Sequence, residues 1–516
     1  MERIYCNGTI LTMRYPRETA QAVLTRNGKI ALVGSIENVR RAAGNHAEVF
    51  DLEGKTMLPA FLDGHGHLSM LAQNLAQADL SAARSFQDII DLLRTFRAKN
   101  ALFHGEYIVG FGYDENRLLE KRHPDRRVLD QVSDENPIFI SHVSFHMGVA
   151  NTLALKQAKI FKHDECTGYL AETDMTAIYA QAAESKLPVE HLYKKAQDVY
   201  LQNGICTIQD GAVGKKQFQQ LQELADQRLF QVDVAAYLMM TDDAHSVVQA
   251  NANLLQTYQK HLKIGGYKLV LDGSPQGKTA WMREPYTDGT NGSAWMRDDE
   301  VKAFALQAVN DGVQLMAHCN GDAASEQFLN SYQYALEHSG RRNTQKLRPV
   351  MLHSQTVRQD QLSRFSDLGM IPSFFVDHVY RWGDVHRKNL GQTRAQNISP
   401  VGWAEEFCLP YTFHQDTPVL PPNMLSTIRT AVQRVTEQGV LLGKQHTISA
   451  YQALQAVTIH TAFQYGEEKQ KGSIEKNKQA DFVILDQNPL CVDTQALTDI
   501  HITHTIAKDQ IVYRRK

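Results

Sequence analysis

Two histidines one residue apart, His65 and His67 in the segment FLDGHGHL, are the first residues whose type and spacing suggest chemistry. In an extended strand, residues i and i+2 project from the same face. Two neutral imidazoles on one face can hold one metal ion. Two exposed loop histidines would show the same spacing, so further ligands elsewhere must decide. Lys268 lies in GYKLVLDGS, His318 in LMAHCNGD, His353 in VMLHSQ and Asp416 in YTFHQDTPV. Each sits in or at the end of a short apolar run bounded by turn residues, the pattern of a strand. Alone, a strand-end histidine is an ordinary surface residue, and a strand lysine carries its ammonium out to water. Four histidines, a lysine and an aspartate placed alike on five separate strands are a candidate ligand set.

The elements that must position them can be read from the same pattern. Eight apolar runs occur in order: AFLDGHGH, GICTIQDG, VDVAAYLMM, GYKLVLDG, GVQLMAHC, PVMLHS, GMIPSFFV and LPYTFHQD. Helix-like segments such as EVKAFALQAVND separate them. Strands alternating with helices imply parallel βα units, and eight units close a (β/α)8 TIM barrel whose site forms at the C-terminal strand ends. The gap between the first and second runs is too long for one unit, so an inserted subdomain is expected at about 85–200. Both ends of the chain read as strands and turns. Asn7-Gly8 and Asn27-Gly28 between apolar runs are hairpin signals. The expectation is an α/β protein: a barrel over 59–467, with a small β-sandwich domain built from both termini, 1–58 and 468–516.

Composition narrows the function classes. The 516 residues carry a formal net charge of -3, so electrostatics give no case for nucleic acid or an anionic membrane surface. No apolar run reaches the length of a membrane span. The six cysteines are scattered without a CxxC pair, which argues against a zinc knuckle and against a secreted disulfide framework. The N-terminal MERIYCNGTILTM has no basic stretch followed by a long apolar core, so no signal peptide is read there. A cytoplasmic location is the expectation.

The motifs resemble those of the amidohydrolase superfamily, specifically its YtcJ-like branch (amidohydrolase family 3), which includes N-substituted formamide deformylases. MLPAFLDGHGHL is similar to the family's PGFIDxHxH segment, and YKLVLDGSPQGKTAWM to its KxxxDGSxxxxTA segment. MAHCNGDAA is similar to HAxGDxA, with Cys319 and Asn320 departing from the usual residues. GSIEKNKQADFVILD resembles the C-terminal GxIxxGKxADxVxLD, with Asn477 in place of glycine. TFHQDTPV stands where GSDxPV is usual, so His414 and Gln415 replace small residues. The resemblance spans nearly the whole chain.

It implies a metal-dependent amidohydrolase with one or two divalent ions, zinc being the expected metal. His65, His67 and Asp416 would hold one ion, His318 and His353 a second, and Lys268 would bridge them as a carbamate formed with carbon dioxide. Hydroxide generated on the metal would attack a carbonyl carbon, and Asp416 would carry the proton from water to the leaving nitrogen. The expected substrate is a small amide-like, non-peptide molecule, and a homodimer is compatible with the reading. A salt bridge from Lys268 to Asp272 is the plain alternative to the carbamate. His146, in the inserted stretch, and His378, after the seventh run, are weaker candidates for substrate contact. Tyr380, Trp382 and Asp384 give the loop after His378 an aromatic, substrate-facing character. Asp210 is a candidate for orienting a ligand histidine, and Cys319 reads as a small buried hydrophobe. Two alternatives stay open. One is a deaminase or an ester or lactone hydrolase on the same metal site. The other is a non-catalytic, metal-binding regulatory protein.

Overall fold

In the computed structural model, which describes residues 2–161, 163, 165–171, 175, 178 and 189–516, the eight apolar runs form eight parallel strands. They are β1 (Phe61–Leu62), β2 (Ile205–Val213), β3 (Asp233–Met239), β4 (Leu262–Val270), β5 (Leu315–Cys319), β6 (Val350–His353), β7 (Ile371–Phe374) and β8 (Thr412–Phe413). Each pairs in parallel with the next, in sequence order. Just beyond β1 and β8, Gly66 and Thr417 form a parallel bridge, so the two ends of the row meet there. Strands buried on both faces read as continuous apolar runs rather than alternating ones, and β3 and β5 are of that kind. Ala235, Tyr237, Met316, Val350, Leu352 and Ile371 share one core with Ala462 and Tyr465. Helices fill the connections. Asp298–Asp311, for example, starts on three acidic residues and stops at Gly312, whose φ of 71° suits glycine.

The termini meet in a second sheet. Its strand order is Gln510–Arg514, Ile502–Ala507, Phe482–Leu485, Thr56–Pro59, Glu2–Leu11, Thr19–Arg26 and Lys29–Gly34, and Glu48–Asp51 also pairs with Glu2–Leu11. Phe482–Leu485 runs antiparallel to Thr56–Pro59, Phe482 opposite Pro59. Tyr5, Ile10, Val23 and Met57 share a core with Phe482, Ile484 and Ile506, so neither end buries its apolar face without the other. Asn27 and Gly28 both have positive φ and turn a hairpin, as their types require. Asn7-Gly8 does not. It is a register shift within one ten-residue strand, where a side chain in place of Gly8 would strike the Lys55 carbonyl at 2.4 Å. The left-handed Asn7 is used for a bulge.

Ser69–Ala196 and Pro418–Pro421 make a separate compact unit. Its five-stranded sheet has the order Tyr169–Ala171, Met147–Ala150, Ile138–His142, Ile108–Tyr113, Ala78–Asp79. Leu80, Ile89, Leu93, Ile108, Leu129 and Ile140 lie in its core. Among the described residues no helix is long and apolar enough to cross a membrane.

Candidate metal centre

His65 and His67 lie just past β1, His65 on a bend and His67 in an isolated bridge, rather than on the strand itself. His67 is held by bridges to both sides: its N–H donates to the Thr417 carbonyl at 2.7 Å, and it forms an isolated bridge with Asp210. Both rings still face one point. The Nε2 atoms of His65 and His67 lie 3.3 and 3.0 Å from the same Asp416 Oδ1. His65 donates its Nδ1–H to the Gln209 amide oxygen at 2.5 Å, which leaves Nε2 bare and aimed at Asp416. Gln209 in turn donates to the Gly64 carbonyl and to Tyr465 Oη. The group that fixes His65 is therefore Gln209, the neighbour of Asp210. Nothing in GICTIQDG singled it out, because a buried glutamine in an apolar run reads as an interruption.

Lys268 reaches the same place from β4. Its Nζ is 3.2 Å from His65 Nε2. The side chain is buried, and burial lowers its pKa to about 7, against the pull of Asp416. Asp272 accepts the backbone N–H groups of Asn320, Gly321 and Trp281 at 2.7 to 3.0 Å. From β5 and β6, His318 Nδ1 and His353 Nε2 stand 2.9 Å apart. His318 places its other nitrogen 3.1 Å from the Gly273 carbonyl and 3.0 Å from Asn320 Nδ2, and turns Nδ1 to His353. The rings of His65 and His353 are 5.5 Å apart. One donor atom each from His65, His353 and Asp416 fall within 4.8 Å of one another. All six residues expected from the sequence thus converge.

The donor set fits divalent metal. It offers bare imidazole nitrogens and a carboxylate oxygen, buried and at the mutual spacing that ligands take around an ion bonded at about 2.0–2.2 Å. Burial and the Lys268 charge hold His65 well below the ordinary imidazole pKa, and burial and His318 do the same for His353, so both rings are neutral ligands. Burial acts to raise the pKa of Asp416, but its hydrogen bond from His67 and the nearby histidines hold it well below the usual carboxylate range.

A model of the Amidohydrolase family matches residues 48–513. The chain belongs to the amidohydrolase family. It is 26% identical to an N-substituted formamide deformylase from Arthrobacter pascens over 99% of this chain and 98% of that protein. It is 24% identical to the putative amidohydrolase YtcJ of Bacillus subtilis over the full length of both. A solved structure of an uncharacterized metal-dependent hydrolase from Pyrococcus furiosus superposes with a TM-score of 0.77 at 27% identity, covering 95% of this chain and all of that one.

In this amidohydrolase the site is tightly cast. A Cβ on Gly66, between the two histidines, would lie 2.4 Å from Asp63 Oδ2 and 2.9 Å from Tyr200 Oη. One on Gly211 would lie 2.4 Å from the His65 ring. His353 and Asp416 both adopt left-handed backbone, with φ of 66° and 55°. Such strain persists only where the surroundings over-determine it, and it clusters at functional sites. His378 is buried at the start of the helix His378–Ala395, its ring 4.6 Å from those of Phe375 and Trp382. Its Nδ1 is 3.1 Å from His386 Nε2. Tyr380 and Asp384 lie on the same helix. His146 belongs to the other unit, one residue before the strand Met147–Ala150, and its N–H donates to Ser144 Oγ. Cys319 is buried and burial keeps its thiol well above the ordinary pKa, which suits a packing role.

Proposed function

We propose that this amidohydrolase cleaves a C–N bond in a small, amide-like, non-peptide substrate. One or two divalent ions, zinc first, would be held by His65, His67, Lys268, His318, His353 and Asp416. The observation that carries this reading is one Asp416 oxygen facing the Nε2 atoms of both His65 and His67. A bound ion supplies positive charge that acidifies water to a pKa of about 7 and polarises a carbonyl. The chain's own residues do the rest. Lys268, kept substantially neutral near pH 7 by burial, is a nucleophilic amine able to add carbon dioxide and become an anionic carbamate. Asp416, ionised and strained into place, accepts the proton of the attacking water and delivers it to the leaving nitrogen. His378, packed against Phe375 just past the end of β7, would contact the substrate.

We read the row β1–β8 as a closed (β/α)8 barrel, a reading supported by the Gly66–Thr417 bridge. The sheet of the two termini is then its β-sandwich companion, and the Ser69–Ala196 unit its insertion. The Arthrobacter relative is named for removing formyl groups from N-substituted formamides, so such amides head the substrate panel.

The test combines metal analysis with that panel. Purified protein should contain one to two equivalents of zinc, manganese, iron or cobalt, and should release an amine and a carboxylate from at least one amide. Ammonia release would favour a deaminase, and turnover of esters or lactones alone an ester hydrolase. Protein without metal that zinc and manganese fail to activate refutes the proposal.

A further inference from the structure

The side chains behind the His318–His353 pair form an unbroken line. Ser373 Oγ, on β7, is 2.9 Å from His414 Nδ1. His414 Nε2 is 3.1 Å from His353 Nδ1. His353 Nε2 is 2.9 Å from His318 Nδ1, and His318 Nε2 is 3.1 Å from the Gly273 carbonyl. Ser373, His353 and His414 are each at most 2% exposed, so water does not compete along this stretch. His318 Nε2 also lies 3.0 Å from Asn320 Nδ2, which donates to the same carbonyl at 2.9 Å, so a donor and an acceptor both face it. The line from Ser373 to His318 can therefore run in either direction, according to which nitrogen of each ring carries the proton.

Only one of those directions suits metal. His353 Nε2, the atom beside His318 Nδ1, must be bare to ligate, which puts the ring proton on Nδ1. The atom facing Nδ1 is His414 Nε2, which must then accept. We infer that His414 is a positioning residue that sets the tautomer of His353 for the second ion, its own tautomer set in turn by Ser373 Oγ at its Nδ1. The inference rests on the two-ion reading above. The end of the line is a hydroxyl, the one small group that donates or accepts by turning about its C–O bond, so Ser373 can accept from His414 Nδ1. Ligand histidines commonly fix their tautomer through a partner at the other nitrogen, and losing that partner costs roughly ten- to a hundredfold in metal affinity.

The experiment reads metal stoichiometry and affinity, not turnover. Stripped protein is back-titrated with zinc, and parent, His414→Leu, His414→Gln and Ser373→Ala are compared. The parent should take up two ions. His414→Leu fills the space without an acceptor. It should bind the first ion as the parent does and the second roughly ten- to a hundredfold more weakly. His414→Gln, whose amide oxygen accepts from His353 Nδ1, should recover most of that loss. Ser373→Ala should weaken the second ion in the same sense, and it provides the measurement if His414→Leu does not fold. His414→Leu binding both ions with parental affinity overturns the inference. So does His414→Gln, folded and holding its first ion, failing as badly as leucine, or Ser373→Ala leaving the second ion unaffected. A parent that saturates below two ions is read before any variant. It removes the two-ion reading itself, and the inference with it.

Discussion

Proton transfer and metal bridging rest on separate residues and can be separated by substitution. Asp416→Asn keeps the shape of the side chain and one carbonyl oxygen but loses the basic oxygen. This variant should keep its fold and most of its metal while turnover falls roughly a hundredfold or more, the scale of lost general acid–base catalysis. His414 is the rival base. Its pKa is pushed down by burial to about 3, so its ring is neutral near pH 7. If Asp416→Asn retains near-parental turnover while His414→Ala loses it with metal intact, the base is His414. Lys268→Ala should lose at least one ion and most activity, and short carboxylic acids should restore part of both. Unchanged metal content and turnover would exclude the bridge. The six converging residues were legible because each ends or occupies an apolar run, and strand order alone brings such ends together. His414 was legible only as an oddity, a large residue where small ones are usual. Its contacts with His353 and Ser373 depend on how β6, β7 and β8 align, which spacing within one strand does not encode.

At the scale of elements, the foot of the parallel sheet is stitched to the terminal sheet by buried charge. Lys471 Nζ contacts Asp233 at the start of β3 at 2.8 Å, Glu467 at 2.9 Å and Thr207 of β2 at 2.9 Å. Lys263 and Lys508 also reach this cluster, pairing with Glu467 and Asp233. Removing one partner of a buried network strands charge in a low-dielectric interior. Lys471→Met should therefore lower stability by about 3 kcal/mol, the low end of the usual range because Lys263 and Lys508 remain. A urea midpoint within error of the parent would contradict this. Elements with strong local codes, the Asn27-Gly28 hairpin and the eight apolar runs, were readable in the sequence. Asn7-Gly8 carries the same code, but there the long strand and the pressing Lys55 carbonyl make a bulge of it. The HxH pair was read as strand, yet β1 stops at Leu62, because the following residues are drawn into bridges with Asp210 and Thr417. In each case tertiary pairing outweighed the local signal.

For the whole molecule, buried histidines set the acid limit. Burial pushes His386 and His414 down to about 3, and likewise His446, aided by Arg434. His65, His353 and His378 are also held well below the ordinary value. In the unfolded chain each would bind a proton near pH 6.5. Between 6.5 and the lower folded values the unfolded state binds more protons, so stability falls as pH drops through that window and does not respond to these groups above it. Metal-stripped protein should show a level Tm from pH 8 to 7 and a steady decline from 6.5 towards 4. A Tm unchanged between pH 7 and 4.5 would contradict the buried, neutral state of these rings. The join between the two sheets of the termini-bearing unit has a consequence in time. Thr56–Pro59, which leads through Ala60 into β1 and the His65–His67 bend, is paired on one side by Phe482–Leu485. A ribosome makes that partner roughly 400 residues later, on the order of 20–80 s at 5–20 residues per second. Throughout that interval the strand leading into the first two ligands lacks its antiparallel neighbour, and β8, which brings Asp416, is also among the late arrivals. Metal capture at this centre is then an event of the finished polypeptide, and a nascent chain halted before Phe482 would carry its histidines on a strand paired only with Glu2–Leu11.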